Sequence, residues 1–314
     1  MPGFAVHYLF GEELLKDYDN NYVKKCINRH QEVYNMGLQG PDLFFYFFLS
    51  PVLYKRNIGS IMHTKDVGAF KSNFIKSIKD MEDKDKSMIA ISYFAGFLGH
   101  CTLDKICHPY VYAVTDYEHK GKDYFSKHVD LETDIDSMYI SKYKDMDLYY
   151  FRRKETLNIS NVEIEVLAEV FVRAFKKTYS NVKLSKKRME LVINIFKQSS
   201  TIFNDKHGVK KSLVGFLEKI ILKRKVISPM FIVEKRIQNE HDVLNKENQK
   251  WYNPWEKDII RDESFPELFK YALKEYSFVL DELNNYLVNV NENVLKRTIE
   301  NISLHSGLDC SIPS

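Results

Sequence analysis

The spacing of a few polar residues inside an apolar stretch constrains this chain more than any other feature. His100, Asp104 and His108 follow one another at intervals of four residues, and His128 and Glu132 repeat that interval further along. Four residues turn an α-helix through about 400°, so residues spaced in this way project from nearly the same side. The sequence therefore predicts helices over residues 86–108 and 123–143, each with a polar face.

Helical periodicity also dominates the rest of the chain. Apolar residues recur with a helical period from Leu268 to Val290 and from Val162 to Tyr179. Ser264 and Glu267, just ahead of the first stretch, have the spacing of a capping box. No alternating strand pattern is convincing, and 12 glycines and 8 prolines in 314 residues suit long helices. We therefore predict an all-α fold, with further helices near residues 10–18, 22–35, 67–82, 186–204 and 209–225 and a loop at residues 251–255.

The two polar helix faces have the composition of a metal site. Imidazoles and carboxylates on one helix face form the usual protein half of a zinc site. A single zinc takes three or four ligands, so a larger set of donors indicates a cluster of two or three ions, with Asp104 as the natural bridge between His100 and His108. The same donors also accept manganese or iron. The candidate ligands are His7, Asp42, His63, His100, Asp104, His108, His128 and Glu132.

A cluster of cations suits the hydrolysis of phosphodiesters. Neighbouring cations stabilise the charge that builds on the phosphoryl oxygens, and they lower the pKa of a trapped water. Asp42 follows Gly40 and Pro41 in a stiff turn, where it could bind a metal, orient that water, or take its proton. Four histidines outside this set are interpreted as surface or core residues without a function: His119, His207, His241 and His305.

Several segments in this order resemble the zinc-dependent phospholipase C family, which is related to the P1-type nucleases. The resemblance is close through residue 140, and the later part is only loosely similar to the long bacterial, clostridial-type members. It implies a phospholipase C/P1 nuclease-like helical domain with a C-terminal helical extension. The matching segments are His7–Glu12, Gly37–Tyr46, the stretch around His63, His100–Tyr110 and His128–Glu132.

The resemblance also implies three zinc ions with particular ligands. The third ion would be held by His7 and the bridging Asp104, and in secreted relatives the mature N-terminal residue completes that site. Removal of Met1 would leave Pro2, five residues ahead of His7, in this role. The gap from Asp104 to His108 is shorter than in the secreted relatives. The first ion would be held by Asp42, His63, His100 and Asp104, and the second by His108, His128 and Glu132.

These observations lead to an expected function and two alternatives. The first is a zinc-dependent phosphodiester hydrolase of phospholipase C type, which cleaves a phospholipid or related phosphodiester with metal-activated water. The second is a P1-like nuclease or a hydrolase of small phosphodiesters, and the third is a non-catalytic, zinc-stabilised protein. The net charge of +3 gives no case for a stable nucleic-acid complex. We expect a helical core at residues 1–155 that binds the metals, and a helical part at residues 156–314 packed on the same domain.

The sequence also bears on membrane contact and location. Residues 211–225 have the pattern of a basic amphipathic helix, which could lie on an anionic membrane as a peripheral contact, although packing against the core is the preferred interpretation. Tyr46 and Tyr110 could stack on a headgroup or a base. The start has no signal-peptide pattern, and no apolar run is long enough to span a membrane. We therefore expect a cytoplasmic protein with reduced cysteines.

Overall fold

The structure is a computed structural model that describes residues 3–234, 242–289 and 294–313. These residues form mostly helices, as the sequence predicts, with short 3₁₀ turns between some of them. In chain order the helices are α1 (Phe4–Asp17), α2 (Tyr22–Arg29), α3 (Gln31–Gly37), α4 (Ser50–Tyr54), α5 (Ile58–Thr64), α6 (Val67–Lys79), α7 (Lys84–Val114), α8 (Tyr124–Lys144), α9 (Asn161–Thr178), α10 (Lys186–Ile202), α11 (Val209–Ile221) and α12 (Phe265–Asn289).

The long helix α7 is the central element of the fold. Asp83 accepts hydrogen bonds from the backbone amides of Asp85 and Lys86 and so fixes its start. Helices α1, α2, α3, α6, α9 and α12 pack around it, and most of its length is buried. A Cβ atom on Gly37 or Gly96 would overlap backbone of the facing helix, so these glycines allow α3 and α7 to approach closely. This approach places the chain after α3 directly over the polar face of α7.

Helices from both sides of residue 155 pack against one another. Helix α9 lies on α6 and α7, and α12 lies on α7, where the Tyr276 hydroxyl donates to the carbonyl of Ala95 at 2.7 Å. The capping box is confirmed at the start of α12, because the amides of Ser264 and Glu267 each bond to the other residue's side chain. The division into residues 1–155 and 156–314 stays a prediction.

A small hairpin replaces the loop that the sequence predicts at residues 251–255. Strand β1 (Trp251–Asn253) pairs antiparallel with β2 (Glu256–Arg261). The Trp251 indole donates to the carbonyl of Glu263 at 3.0 Å, and this contact buries its ring. Strand β2 is largely exposed on both faces, so it lacks the alternation of apolar and polar residues that identifies a strand in a sequence.

Candidate metal centre

The candidate ligands come from separate elements that meet beside α7. Helix α1 supplies His7, the 3₁₀ turn Gly40–Phe44 supplies Asp42, and α5 supplies His63. Helix α7 supplies His100, Asp104 and His108, and α8 supplies His128 and Glu132. All of these side chains are buried. The structure therefore brings together every candidate ligand of the described chain, whereas Pro2 lies outside the described residues.

Asp104 lies at the centre of this cluster. Its Oδ1 atom is 3.2 Å from His7 Nε2. Its Oδ2 atom is 3.0 Å from His100 Nε2, 3.5 Å from His63 Nε2 and 3.7 Å from His108 Nδ1. One fully buried carboxylate thus contacts four imidazoles, which is the position that a bridging ligand requires.

The ligand atoms fall into compact groups. Asp42 Oδ1 is 3.2 Å from His63 Nε2 and 3.8 Å from His100 Nε2. His128 Nε2 is 2.7 Å from Glu132 Oε1. In each of three groups, one ligand atom per residue lies within 4.8 Å of the others: His63, His100 and Asp104; His7, Asp42 and His100; and His108, His128 and Glu132. The third group has the composition of the second zinc set that the resemblance implies.

The polar atoms of this cluster are buried without the hydrogen bonds that buried groups normally make. Within the described part of the chain, both oxygens of Asp104, both nitrogens of His7 and three further ligand atoms have no hydrogen-bond partner. These atoms lie close to one another, with His7 Nε2 3.2 Å from Asp104 Oδ1 and His100 Nε2 3.0 Å from Asp104 Oδ2, but they are not hydrogen-bonded. Buried donors and acceptors are nearly always satisfied. A set of unsatisfied nitrogen and oxygen atoms around one carboxylate therefore fits zinc ions, and the three further atoms are Asp42 Oδ1, His100 Nε2 and His108 Nε2.

Several of the imidazole rings are oriented by hydrogen bonds between their Nδ1 atoms and backbone carbonyls. A histidine that donates from Nδ1 to a carbonyl keeps Nε2 as the lone pair that faces the metal, and this second contact orients the ring. The cluster uses this arrangement for rings from two helices. His63 bonds to the carbonyl of Gly59 at 2.7 Å, His100 to that of Leu38 at 3.2 Å, and His108 to that of Leu304.

Burial and neighbouring charges shift the pKa values of the cluster. Burial alone would raise the pKa of Asp104, but His100 and His108 outweigh it and hold that pKa well below its ordinary value. Burial lowers the pKa of His7, so this imidazole is neutral and able to bind a metal. Burial also opposes a proton on His63, yet the neighbouring carboxylates of Asp104 and Asp42 raise its pKa to about 9. Zinc must therefore displace a proton from His63.

A cleft of about 290 Å³ opens onto the cluster. Asp42 and Glu132 line it, and so does Tyr46, one of the two tyrosines expected to stack on a substrate. The other, Tyr110, faces the opposite way, because its hydroxyl donates to the carbonyl of Val243 at 2.9 Å and its ring packs on Trp251. The walls are partly apolar and include Phe45, Phe125, Phe196, Met230 and Ile232.

The sequence predicts no function for His305, yet the structure places this residue beside the candidate ligands. His305 lines the cleft, and its ring centroid lies 5.4 Å from that of His63 and 5.9 Å from that of His108. The amide of Leu304 donates to the carbonyl of His63 at 2.7 Å and holds this C-terminal segment in place. No helical spacing links His305 to another ligand, so the only signal was the loose similarity of the later part of the chain to the long family members. Of the other three histidines, His119 and His207 are exposed as expected, and His241 lies outside the described residues.

The comparison with known proteins agrees with this geometry. A family model described as zinc dependent phospholipase C matches residues 6–188. The chain therefore belongs to the zinc-dependent phospholipase C family, a family of hydrolases. No curated protein and no solved structure gives a significant match. All eight candidate ligands of the described chain lie inside the matched range, whereas His305 and α11 lie outside it.

Proposed function

We propose that this chain is a zinc-dependent phosphodiesterase of phospholipase C type that hydrolyses a phospholipid or a closely related phosphodiester. The observation that carries the proposal is Asp104, a fully buried carboxylate that contacts four imidazoles while neither of its oxygens has a hydrogen-bond partner in the described chain. Such a carboxylate is costly to bury alone and is stabilised by cations. Membership of the family supports zinc as that cation.

Different groups of ligands would hold different zinc ions. His63, His100 and Asp104, with Asp42 beside them, form one set, and His108, His128 and Glu132 form the next. His7 lies against Asp104 and provides for a third ion, whose remaining ligand would be Pro2. Zinc bound among these donors would neutralise phosphoryl oxygens and lower the pKa of a bound water. The donors therefore support two or three zinc ions.

Asp42 is the residue of this chain best placed to act on water in the cleft. It lines the cleft, and its Oδ1 atom has no hydrogen-bond partner among the residues described. The Asp42 carboxylate would accept a hydrogen bond from a water in the cleft and then take its proton. Asp42 is also close enough to His63 and His100 to share a metal with them. We propose it both as a ligand and as the residue that orients water.

The cleft walls favour a substrate with an apolar part. Phe45, Phe125 and Ile232 line the cleft together with residues of the polar cluster. A lipid presents a phosphodiester next to acyl chains, so it matches both surfaces at once, whereas a nucleic acid presents repeated phosphates and would gain from a basic wall. The only cationic side chain that lines the cleft within the described residues is Arg153. This favours a phospholipid over the nuclease alternative.

Three substrates distinguish the alternatives. The zinc-loaded chain is assayed on phosphatidylcholine vesicles, on single-stranded DNA and on bis-p-nitrophenyl phosphate, with zinc content measured in the same samples. We expect release of a phosphorylated headgroup from the vesicles and slower hydrolysis of bis-p-nitrophenyl phosphate. Preferential cleavage of DNA would support the nuclease instead. No turnover of any of the three by a fully zinc-loaded chain would support the non-catalytic alternative.

The variant Asp42→Asn tests the role of this carboxylate. Loss of a positioned general base typically costs about 10²–10⁴-fold in rate. The matched control is Asp258→Asn, which makes the same chemical change at an exposed position of β2. We expect the control to retain its rate and zinc content. Asp42→Asn with an unchanged rate would contradict the assignment.

A further inference from the structure

The apolar side of helix α11 is exposed to solvent. Leu213, Phe216 and Ile220 are exposed by 59%, 63% and 60%. They lie at positions three and four residues apart, on one side of the helix. Within α11 itself, Glu218 alone is buried. The core packing preferred from the sequence is therefore wrong for this helix. We call the exposed apolar side chains of this helix and of Leu222, which directly follows it, the α11 patch: Val209, Leu213, Phe216, Leu217, Ile220, Ile221 and Leu222.

Polar contacts on the opposite side fix this orientation. The Glu218 carboxylate accepts hydrogen bonds from the backbone amides of Val226, Ile227 and Ser228, at 3.0 Å for Val226 and 3.1 Å for Ser228. At the other end, the amide of Lys211 donates to Asp205 Oδ2 at 2.7 Å. Rotation of the helix to bury its apolar side would break these hydrogen bonds and expose the Glu218 carboxylate. The patch is thus held outward by the fold.

Positive charge surrounds the α11 patch. Between residues 209 and 225 the sole acidic residue is Glu218, whose carboxylate is turned inward onto backbone amides. The whole chain carries a net charge of only +3, so this segment is far more basic than the chain as a whole. The basic residues are Lys210, Lys211, Lys219, Lys223, Arg224 and Lys225. Apolar side chains within a cationic rim match a bilayer that contains anionic lipids.

The patch lies next to the entrance of the cleft. Helix α11 packs on the 3₁₀ turn Ser228–Met230, and Met230 lines the cleft. Lys211 Nζ is 3.7 Å from Asp130 Oδ1 on α8, the helix that carries His128 and Glu132. Phe125, also on α8, is exposed and lines the cleft as well. A flat surface on the patch would therefore lie beside the opening.

We propose that the α11 patch is a docking surface for an anionic phospholipid bilayer. Its apolar side chains enter the boundary between headgroups and acyl chains, and its basic rim binds the anionic headgroups. Contact between two copies through this face would bring the two cationic rims together, so charge disfavours a dimer. Of the helices described, none is long and apolar enough to cross a membrane. The delivery of lipid to the cleft rests on the proposed function, whereas the docking does not.

Flotation with vesicles tests the docking. The zinc-loaded full chain is mixed with phosphatidylcholine vesicles that contain or lack phosphatidylserine, and hydrolysis of bis-p-nitrophenyl phosphate is measured on the same preparations. The variant Phe216→Ser/Ile220→Ser removes two apolar side chains of the patch. The matched control is Val162→Ser/Leu191→Ser, because those side chains are exposed by 62% and 49% on α9 and α10, outside the patch. The variant Lys219→Gln/Lys223→Gln removes charge from the rim.

We expect the wild-type chain to float with the vesicles that contain phosphatidylserine. Phe216→Ser/Ile220→Ser should lower the partition coefficient by about 100-fold, at roughly tenfold for each apolar side chain. Lys219→Gln/Lys223→Gln should lower it by about fivefold for each charge and weaken its dependence on salt. The Val162→Ser/Leu191→Ser control should float like the wild type, and all three variants should hydrolyse bis-p-nitrophenyl phosphate at the wild-type rate.

Several results would overturn the docking proposal. They are equal flotation of Phe216→Ser/Ile220→Ser and its control, no flotation of the wild type, and a wild-type dimer that this variant converts to a monomer. The last result would assign the patch to a second copy. A wild type that floats but hydrolyses none of the substrates would overturn the proposed function and leave the docking surface standing, so the two failures are distinguishable.

Discussion

Gly40→Ala tests whether the tight turn before Asp42 is built around the ring of His100. Gly40 has φ of +48°, a conformation that costs an L-residue about 1–2 kcal/mol. An alanine Cβ would also lie 2.3 Å from Cδ2 and 2.4 Å from Cγ of His100. Carbon atoms normally approach to about 3.5–4 Å, so the ring must move by about 1 Å or more. The substitution therefore combines backbone strain with displacement of a candidate ligand.

Gly208→Ala separates these two effects. Gly208 has φ of +72°, but an added Cβ would meet only Val233 Cγ1, at an ordinary contact distance of 3.6 Å. The control therefore carries the backbone strain of about 1–2 kcal/mol without the overlap. Overpacking of a rigid site adds about 1–3 kcal/mol. We expect Gly40→Ala to lose about 2–5 kcal/mol of unfolding free energy, and the difference from Gly208→Ala measures the overlap with His100.

Zinc affinity gives an independent measure of the same displacement. Movement of the His100 ring would disturb its hydrogen bond to the carbonyl of Leu38, and loss of such an orienting contact typically lowers metal affinity by about 10–100-fold. The assays are denaturant unfolding and competition with a chelator for zinc. Equal unfolding free energies and equal zinc affinities for Gly40→Ala and Gly208→Ala would refute the reasoning.

Three other predictions concern the cluster itself. Asp104→Asn removes the carboxylate that contacts four imidazoles, and we expect it to lose at least one zinc per chain by elemental analysis; full zinc content would contradict its bridging position. The raised pKa of His63, about 9, means that its imidazole is protonated below that pH in the zinc-free chain. Zinc binding near neutral pH should therefore release about one proton from His63, and zinc affinity should fall as the pH falls below about 9. Calorimetry in buffers of different ionisation enthalpy measures this proton release. Zinc binding without proton release would disprove the raised pKa of His63. His305→Gln should retain zinc and lower turnover by about tenfold or more, because a polar group of the cleft wall is altered. Loss of zinc instead would identify His305 as a ligand.

The helices and most of the site were predictable because their signals are local. The spacing of His100, Asp104 and His108 is a property of a single helix, and so is the capping box at Ser264 and Glu267. Both depend on residues within one or two turns of each other. The order of the short ligand segments then led to the family, which the match over residues 6–188 confirms.

The small hairpin and His305 could not be predicted in this way. Strand β2 has no buried face, so burial left no alternating pattern in its sequence. His305 reaches the cleft through contacts of its neighbour Leu304 with His63 and His108, which are distant in the sequence. A hydrogen bond between segments so far apart leaves no periodic signal in either of them.

By itself the sequence determined that this protein is helical, that imidazoles and carboxylates share helix faces, and that these donors suit zinc. The tertiary structure decided which atoms meet at Asp104, which carbonyls orient the rings, and that His305 joins the cleft. It also decided that α11 turns its apolar side to solvent, because the amides after this helix bind Glu218 on its other side. A helical pattern shows that a face is apolar, whereas only the packing of the rest of the chain decides what covers that face.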